Sequence, residues 1–300
     1  MNNVYLPHIM NGEEAMADGE YISFGQTFTK VLDVSKFQDK NETAARPDFK
    51  KARAKGTRAV IMRVSANFGV DEDAEYNWKA VQDADMIPLA YHWFEYRAGI
   101  MKSGGDQAKT CLDTIDMING TVENVPIFLD YEQPSAAWPP LPEYYTSIAN
   151  LSRFYEVTDP NTKRLTGLYG NRNTVYAISP VPTRTLLRPF WPAGWIFSRL
   201  MRAEEITGLS WRPNISPWTK FTVWQCGLTY GYEYGMESAE VDLNFFNGTF
   251  DQLAEFAGYT IPTEPTQPPI VFPELEERVS KLEQDIQNLR QEAILHGWFV

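Results

Sequence analysis

Cysteine is scarce in this chain: two in 300 residues, Cys111 and Cys226, with no CxxC spacing. A disulfide framework is excluded, and three histidines with no cluster leave no metal site to assemble, so two buried free thiols are expected and no metal ligands. Basic residues are also in deficit, 27 Lys plus Arg against 39 Asp plus Glu, a formal charge of -12. That balance excludes a nucleic-acid partner held by counterion release and weakens attraction to any anionic surface. Nowhere is there an unbroken run of about 18 apolar residues, so no membrane span is expected. The opening stretch, MNNVYLPHIMNGEEAMADGE, has neither a basic nor an apolar region of the signal-peptide kind. A soluble chain without its own export signal is the expectation.

What is present suffices for a packed core: 43% of residues are hydrophobic and 14% aromatic. Residues 1–27 are polar and without period, and read as an N-terminal extension. Eight short apolar, β-branched or aromatic runs then follow: TKVLDV (29–34), RAVIMRV (58–64), IPLAYHW (87–93), VPIFLD (125–130), LTGLYG (165–170), GWIFS (194–198), FTVWQC (221–226) and AEVDLNF (239–245). Between the early ones lie amphipathic stretches, PDFKKARAKG, DEDAEYNWKAVQDAD, SGGDQAKTCLDTIDMI and PEYYTSIANLSRFYEV. Strand and helix in alternation mark parallel βαβ units, and near-continuous apolar strands mark a sheet covered on both faces. Helical signals thin out after about residue 185. An α/β chain with a barrel regular in its first five units and mostly β in its last three is predicted over 28–258.

The segment TIPTEPTQPPIVFP (260–273), with five prolines, closes the barrel region, and 259–273 reads as a stiff extended linker. Beyond it, in 274–296, Leu275, Val279, Leu282, Ile286 and Leu289 are spaced 4, 3, 4, 3, the seam of a short coiled-coil helix. Arg278 and Asp285 fall at g, Glu283 and Arg290 at e, so a parallel pair would join opposite charges. A homo-oligomer is the expectation, with a single amphipathic helix folded on the barrel as the alternative.

The chemistry centres on VPIFLDYEQP. Residues i and i+2 of a strand share a face, so Asp130 and Glu132 project together from the C-terminal end of a barrel strand, where barrel enzymes keep their active sites. Two acids close together in a partly desolvated cleft repel when both ionise, so one retains its proton and serves as a general acid. Asp-x-Glu alone is a weak signal, but acids recur at other strands: Asp33 in LDVSKFQ and Asp242 in EVDLNFFNGT. Charges in barrel strands are paired or functional. The aromatics Tyr91, Trp93, Tyr131, Tyr169 and Trp224 lie near strand ends and offer flat faces for sugar rings, with core packing as the alternative for each.

The ordered series DVSKFQ, AYHWF, PIFLDYE, LYGN, VWQ and VDLNFFNGT, spanning about 29–258, resembles family 25 of the glycoside hydrolases, the muramidases of bacteria and bacteriophages. The resemblance implies a TIM-like (β/α)5(β)3 barrel, no metal or organic cofactor, and cleavage of the β-1,4 bond between N-acetylmuramic acid and N-acetylglucosamine in bacterial peptidoglycan. It implies that Glu132 is the proton donor and that Asp130 orients the substrate or stabilises its developing charge. Asp33 and Asp242 become the acids lining the site, with Tyr91, Tyr169, Trp224 and Gln225 along the sugar groove. Trp195 opens Trp195-Ile196-Phe197-Ser198-Arg199, where many relatives carry Trp-x-Ala-x-Tyr, so that side of the cleft departs from the pattern, as do SRLMRAEEITGLSWRPNISPW and FQDKNETAARPDF. The alternative from another class is a non-catalytic glycan-binding or structural component of a virion or tail. A chitinase-like Asp-x-Glu enzyme fits the Asp33 and Asp242 motifs less well. An endolysin-like enzyme acting on the wall after release, or as part of a phage-like particle, is the expectation.

Overall fold

The computed structural model describes residues 18–39, 45–209 and 212–259, with positions 281, 284 and 288, and divides into two units, Met1–Thr260 and Ile261–Val300. In the first unit the strands are β1 (Glu20–Ser23), β2 (Gln26–Val34), β3 (Ala59–Ala66), β4 (Gly69–Val70), β5 (Ile87–Trp93), β6 (Ile127–Asp130), β7 (Gly167–Gly170), β8 (Phe190–Pro192), β9 (Val223–Tyr230) and β10 (Glu240–Phe246). The helices are α1 (Phe49–Ala54), α2 (Ala74–Gln82), α3 (Gly104–Asn119), α4 (Tyr144–Thr162), α5 (Arg172–Ala177), α6 (Thr183–Leu186) and α7 (Phe250–Ala257).

Eight strands run in the order β8-β7-β6-β5-β3-β2-β10-β9. From β2 to β8 neighbours are parallel, and each step is made by a helical crossover, as parallel pairing requires. β10 then pairs antiparallel with both β2 and β9. The ring closes between β8 and β9 through one bridge, Ala193 to Gln225, flanked by Gly194 N–H to Gln225 O at 3.0 Å and Ile196 N–H to Cys226 O at 2.8 Å. Five βα units and three closing strands make the expected (β/α)5(β)3 barrel.

Strand alternation splits the apolar residues into two layers. Val31, Ile61, Leu89, Phe128, Trp191 and Val223 fill the barrel, while Leu32, Val60, Ala90, Leu129, Leu168 and Trp224 face the helices. Helix ends are fixed locally. Ser103 caps α3 by accepting from Asp106 N–H, and Gly120 ends it in the left-handed region at φ 71°. The Thr249/Gln252 capping box starts α7. Because β10 runs against the parallel strands, α7 emerges at their N-terminal ends, where Leu253, Ala254 and Ala257 join Phe246 inside the barrel. That end is plugged and the C-terminal end is left open. Cys111 and Cys226 are free and buried, as expected. Among the described residues no helix is long and apolar enough to cross a membrane.

Three local readings are corrected. The sixth strand is Phe190–Pro192 and not 194–198; flanking prolines mask a three-residue strand, and GWIFS continues past it along β9. Residues 20–23 are not irregular, since β1 forms a hairpin with β2. α7 follows the last strand, where no helix was anticipated. In the second unit Lys281, Gln284 and Asn288 are helical, and Gln284 Nε2 donates to Asn288 Oδ1 at 3.3 Å. The linker and the heptad positions Leu275, Val279, Leu282, Ile286 and Leu289 lie outside the described residues.

Leu253→Ala, which hollows the plug, is expected to lower stability by about 2–5 kcal/mol, read as a reduced urea midpoint with an unchanged slope.

Candidate active site

At the open end the strands surround a cleft of about 240 Å³. β6 delivers its last residue, Asp130, and the chain beyond it turns Glu132 to the same cavity, as the two-residue spacing predicts. Asp33 on β2 and Asp242 on β10 are direct partners across an antiparallel pair, and both line the cleft. All four predicted acids therefore converge. Tyr91, Trp93, Tyr169, Trp195 and Gln225 line it as well.

Tyr131 and Trp224 do not. Each is the odd member of its strand's alternation and points into the outer layer. Tyr131 packs on Phe94 at 5.2 Å and donates its hydroxyl to Ser147 Oγ at 3.1 Å. Trp224 gives its indole N–H to Gly194 O at 2.9 Å. Their assignment as sugar contacts is withdrawn on that geometry.

A chain of directed hydrogen bonds sets Asp33. Asn244 Nδ2 and Gln225 Nε2 both donate to its Oδ2, at 2.7 and 3.1 Å. The carbonyl ends of these amides are occupied by indole N–H groups, which can only donate, Trp191 Nε1 on Asn244 Oδ1 (2.8 Å) and Trp195 Nε1 on Gln225 Oε1 (3.1 Å), and Gln225 Oε1 also accepts from Tyr169 OH (2.9 Å). The amide groups are thereby held with their N–H ends toward the carboxyl. Burial nonetheless pushes Asp33 up to about 6, against the pull of the two amides.

Asp130 is raised well above the ordinary carboxylate range by burial, then by Glu132 and Asp33, with Arg63 opposing. Its Oδ1 is buried and has no hydrogen-bond partner among the described residues. Asp242 is raised likewise by burial and by Asp33 and Glu132. Glu132 is pushed up to about 7 by burial, with the Asn171 amide pulling it down and Asp33 pushing it further up. Arg63, the cation in the cleft, is shared with Asp71, whose Oδ2 receives its Nε at 2.6 Å. Four acids cannot all ionise against so little positive charge. Glu132, half-buried where Asp33 and Asp130 are buried, keeps its proton to near neutrality and still reaches the cavity.

Asn171, Arg63, Asn244 and Trp191 were not singled out from the sequence. Asn171 had a legible signature, the Asn-x-x-Thr capping box after the fifth barrel strand. Its Oδ1 accepts from Asn173 N–H and Thr174 N–H at the start of α5. Its Nδ2 is thereby turned to Glu132 Oε2 (2.9 Å) and Gln133 O (3.2 Å). Arg63 could have been found by alternation, since Ala59, Ile61 and Arg63 share one face of β3.

Four carboxyls gathered at the C-terminal mouth of a β/α barrel, with Glu132 pushed up to about 7, suit a glycoside hydrolase. The chain belongs to glycosyl hydrolases family 25, whose model matches residues 32–226. Asp242 lies beyond the matched segment and is tied to the site by its pairing with Asp33. Among solved structures the chain is similar to the bacterial lysozyme from Streptomyces coelicolor, at 22% identity and TM-score 0.57 over 76% of this chain and 96% of that one. It is similar to a family 25 glycosyl hydrolase from Bacillus anthracis, at 17% identity and TM-score 0.58 over 83% and 100%. It is also similar to the catalytic domain of endolysin ply40 from a bacteriophage of Listeria monocytogenes, at 19% and TM-score 0.53 over 77% and 98%. These likenesses show the shared barrel. No curated protein matches the chain.

Two outcomes follow from the protonation pattern. Carboxyls raised in the folded state contribute stability that is fully present below about pH 4 and is lost as pH rises through about 6 to 7. Urea midpoints at pH 4.5 and 8 are expected to show this loss, and Glu132→Gln to shrink the difference. Asn171→Ser keeps a capping oxygen but removes the amide donor, so Glu132 should hold its proton to higher pH. The alkaline limb of glycan hydrolysis is expected to move up by as much as about one pH unit.

Proposed function

We propose that the enzyme is a muramidase, cutting the β-1,4 bond between N-acetylmuramic acid and N-acetylglucosamine in bacterial peptidoglycan. The observation that carries this reading is Glu132, raised to about 7 beside Asp130 in a cleft walled by Tyr91, Trp93, Tyr169 and Trp195. Family membership and the likeness to lysozymes support it. Glu132 gives its proton to the leaving glycosidic oxygen. Asp130, neutral through burial and with Oδ1 unpartnered among the described residues, offers a hydrogen bond to the acetamido group of the sugar being cleaved. Asp33 and Asp242 keep the pair from ionising together. Trp195, 51% exposed and tied to Gln225, gives a sugar ring an apolar face at the rim. We further propose that the C-terminal heptads join copies of the chain, which sedimentation of the full-length protein tests.

The deciding experiment is release of reducing ends from purified peptidoglycan, with the terminal sugar identified by mass spectrometry after borohydride reduction. Wild type is expected to leave reduced muramic acid, and Glu132→Gln to lower the rate by about 10²–10⁴. Reduced glucosamine termini would overturn the bond assignment; full activity in the variant would overturn the role of Glu132.

A further inference from the structure

A second cavity, of about 420 Å³, lies beside the catalytic cleft. The two flank the C-terminal ends of β7 and β8: Tyr169, Trp191 and Trp195 line the first, and their neighbours Gly170, Pro192 and Gly194 line the second. Asn171, which holds Glu132, belongs to the wall between them. The far side is built by Arg172, Val175 and Tyr176 of α5 and by Pro213, Asn214 and Ser216 of the loop that departs from the family pattern.

The two cavities are opposite in charge. The catalytic cleft is lined by four carboxyls and by one guanidinium shared with Asp71. Among the described residues the second cavity is lined by no Asp or Glu, although the chain carries a formal charge of -12, and Arg172 is its charged wall residue. Arg172 forms no ion pair with a carboxylate among the described residues. Its Nε donates to Tyr176 OH at 2.6 Å and its guanidinium sits 5.1 Å from the Tyr176 ring centroid, which steers the head group while leaving its terminal nitrogens for a ligand. Its size falls in the range of small-ligand sites.

A peptidoglycan strand brings an anion with it, because each muramic acid carries a peptide ending in carboxylate. Such a group finds the cleft's guanidinium already tied to Asp71, and is attracted by Arg172 next door. We propose that the second cavity receives this carboxylate-bearing peptide, with Arg172 pairing to a peptide carboxylate and Pro192, Pro213 and Val175 packing on its apolar side chains. The assignment rests on the muramidase reading and adds to it a preference for peptide-substituted over bare glycan.

The test compares peptide-bearing strands with the same strands stripped of peptide by an amidase and then amidated at the lactyl carboxylates this frees, so that the two differ in the peptide and its carboxylates. Wild type is expected to show the lower KM on peptide-bearing strands. Arg172→Glu should raise that KM about fivefold more than the KM on stripped strands. Tyr176→Phe, which frees the guanidinium, should shift it the same way by less, and Arg172→Lys should recover part of the preference. Both side chains are exposed, so the fold is expected to tolerate these changes. Equal KM values for wild type on the two substrates, or equal effects of Arg172→Glu on both, would overturn the peptide site while leaving the muramidase reading intact. A wild type that cleaves neither would overturn both together.

Discussion

The scarcity of positive charge at the barrel mouth governs the rest of the site. Asp33, Asp130, Glu132 and Asp242 are gathered where water is largely excluded, and the guanidinium among them, Arg63, is divided between the cleft and Asp71. Protons must therefore remain in the cluster, and the neighbouring amides decide where. Asn244 and Gln225 both donate to Asp33, while the Asn171 amide is shared between Glu132 and the Gln133 carbonyl. Asp130 has a bare Oδ1 among the described residues and is raised well above the ordinary carboxylate range, first by burial and then by Glu132 and Asp33. Similar carboxyls thus acquire different holds on their protons from their surroundings.

The acid segment is also held mechanically. The first turn of α5 fastens the chain after β6 at several points: Thr174 Oγ1 donates to Tyr131 O at 2.6 Å, Asn171 reaches Glu132 and Gln133 O, and Asn173 Nδ2 reaches Gln133 Oε1 at 3.3 Å. Gly170 permits this, because a Cβ there would lie 2.6 Å from Thr174 Cγ2 and Oγ1. One helix start therefore satisfies its own free N–H groups and holds the Glu132 side chain in place.

Much of this was readable beforehand, for a definite reason. Barrel strands impose a two-residue period, so the Asp130/Glu132 pair and the recurrence of acids at Asp33 and Asp242 survive translation into space. The same rule, applied strictly, removes Tyr131 and Trp224 from the cleft; proximity to a strand end is not orientation. β8 was misplaced because its signal, Phe190 and Trp191 between prolines, is shorter than the apolar run after it. That error concealed Trp191. Asn171 and Asn244 escaped notice because their importance lies in which end of an amide points where, and only the finished network of donors decides that.

The barrel is joined at β8 and β9 by a single bridge, and the residue on the β9 side of it is Gln225. The backbone of Gln225 fastens the ring while its side chain holds Asp33 and takes the indole of Trp195. The clasp of the barrel, the platform at its rim and the proton on Asp33 are thus one mechanical linkage. Trp195 and Asp33 meet the two ends of one amide, so the position of the rim indole and the hydrogen bond on the buried carboxyl are set by the same side chain.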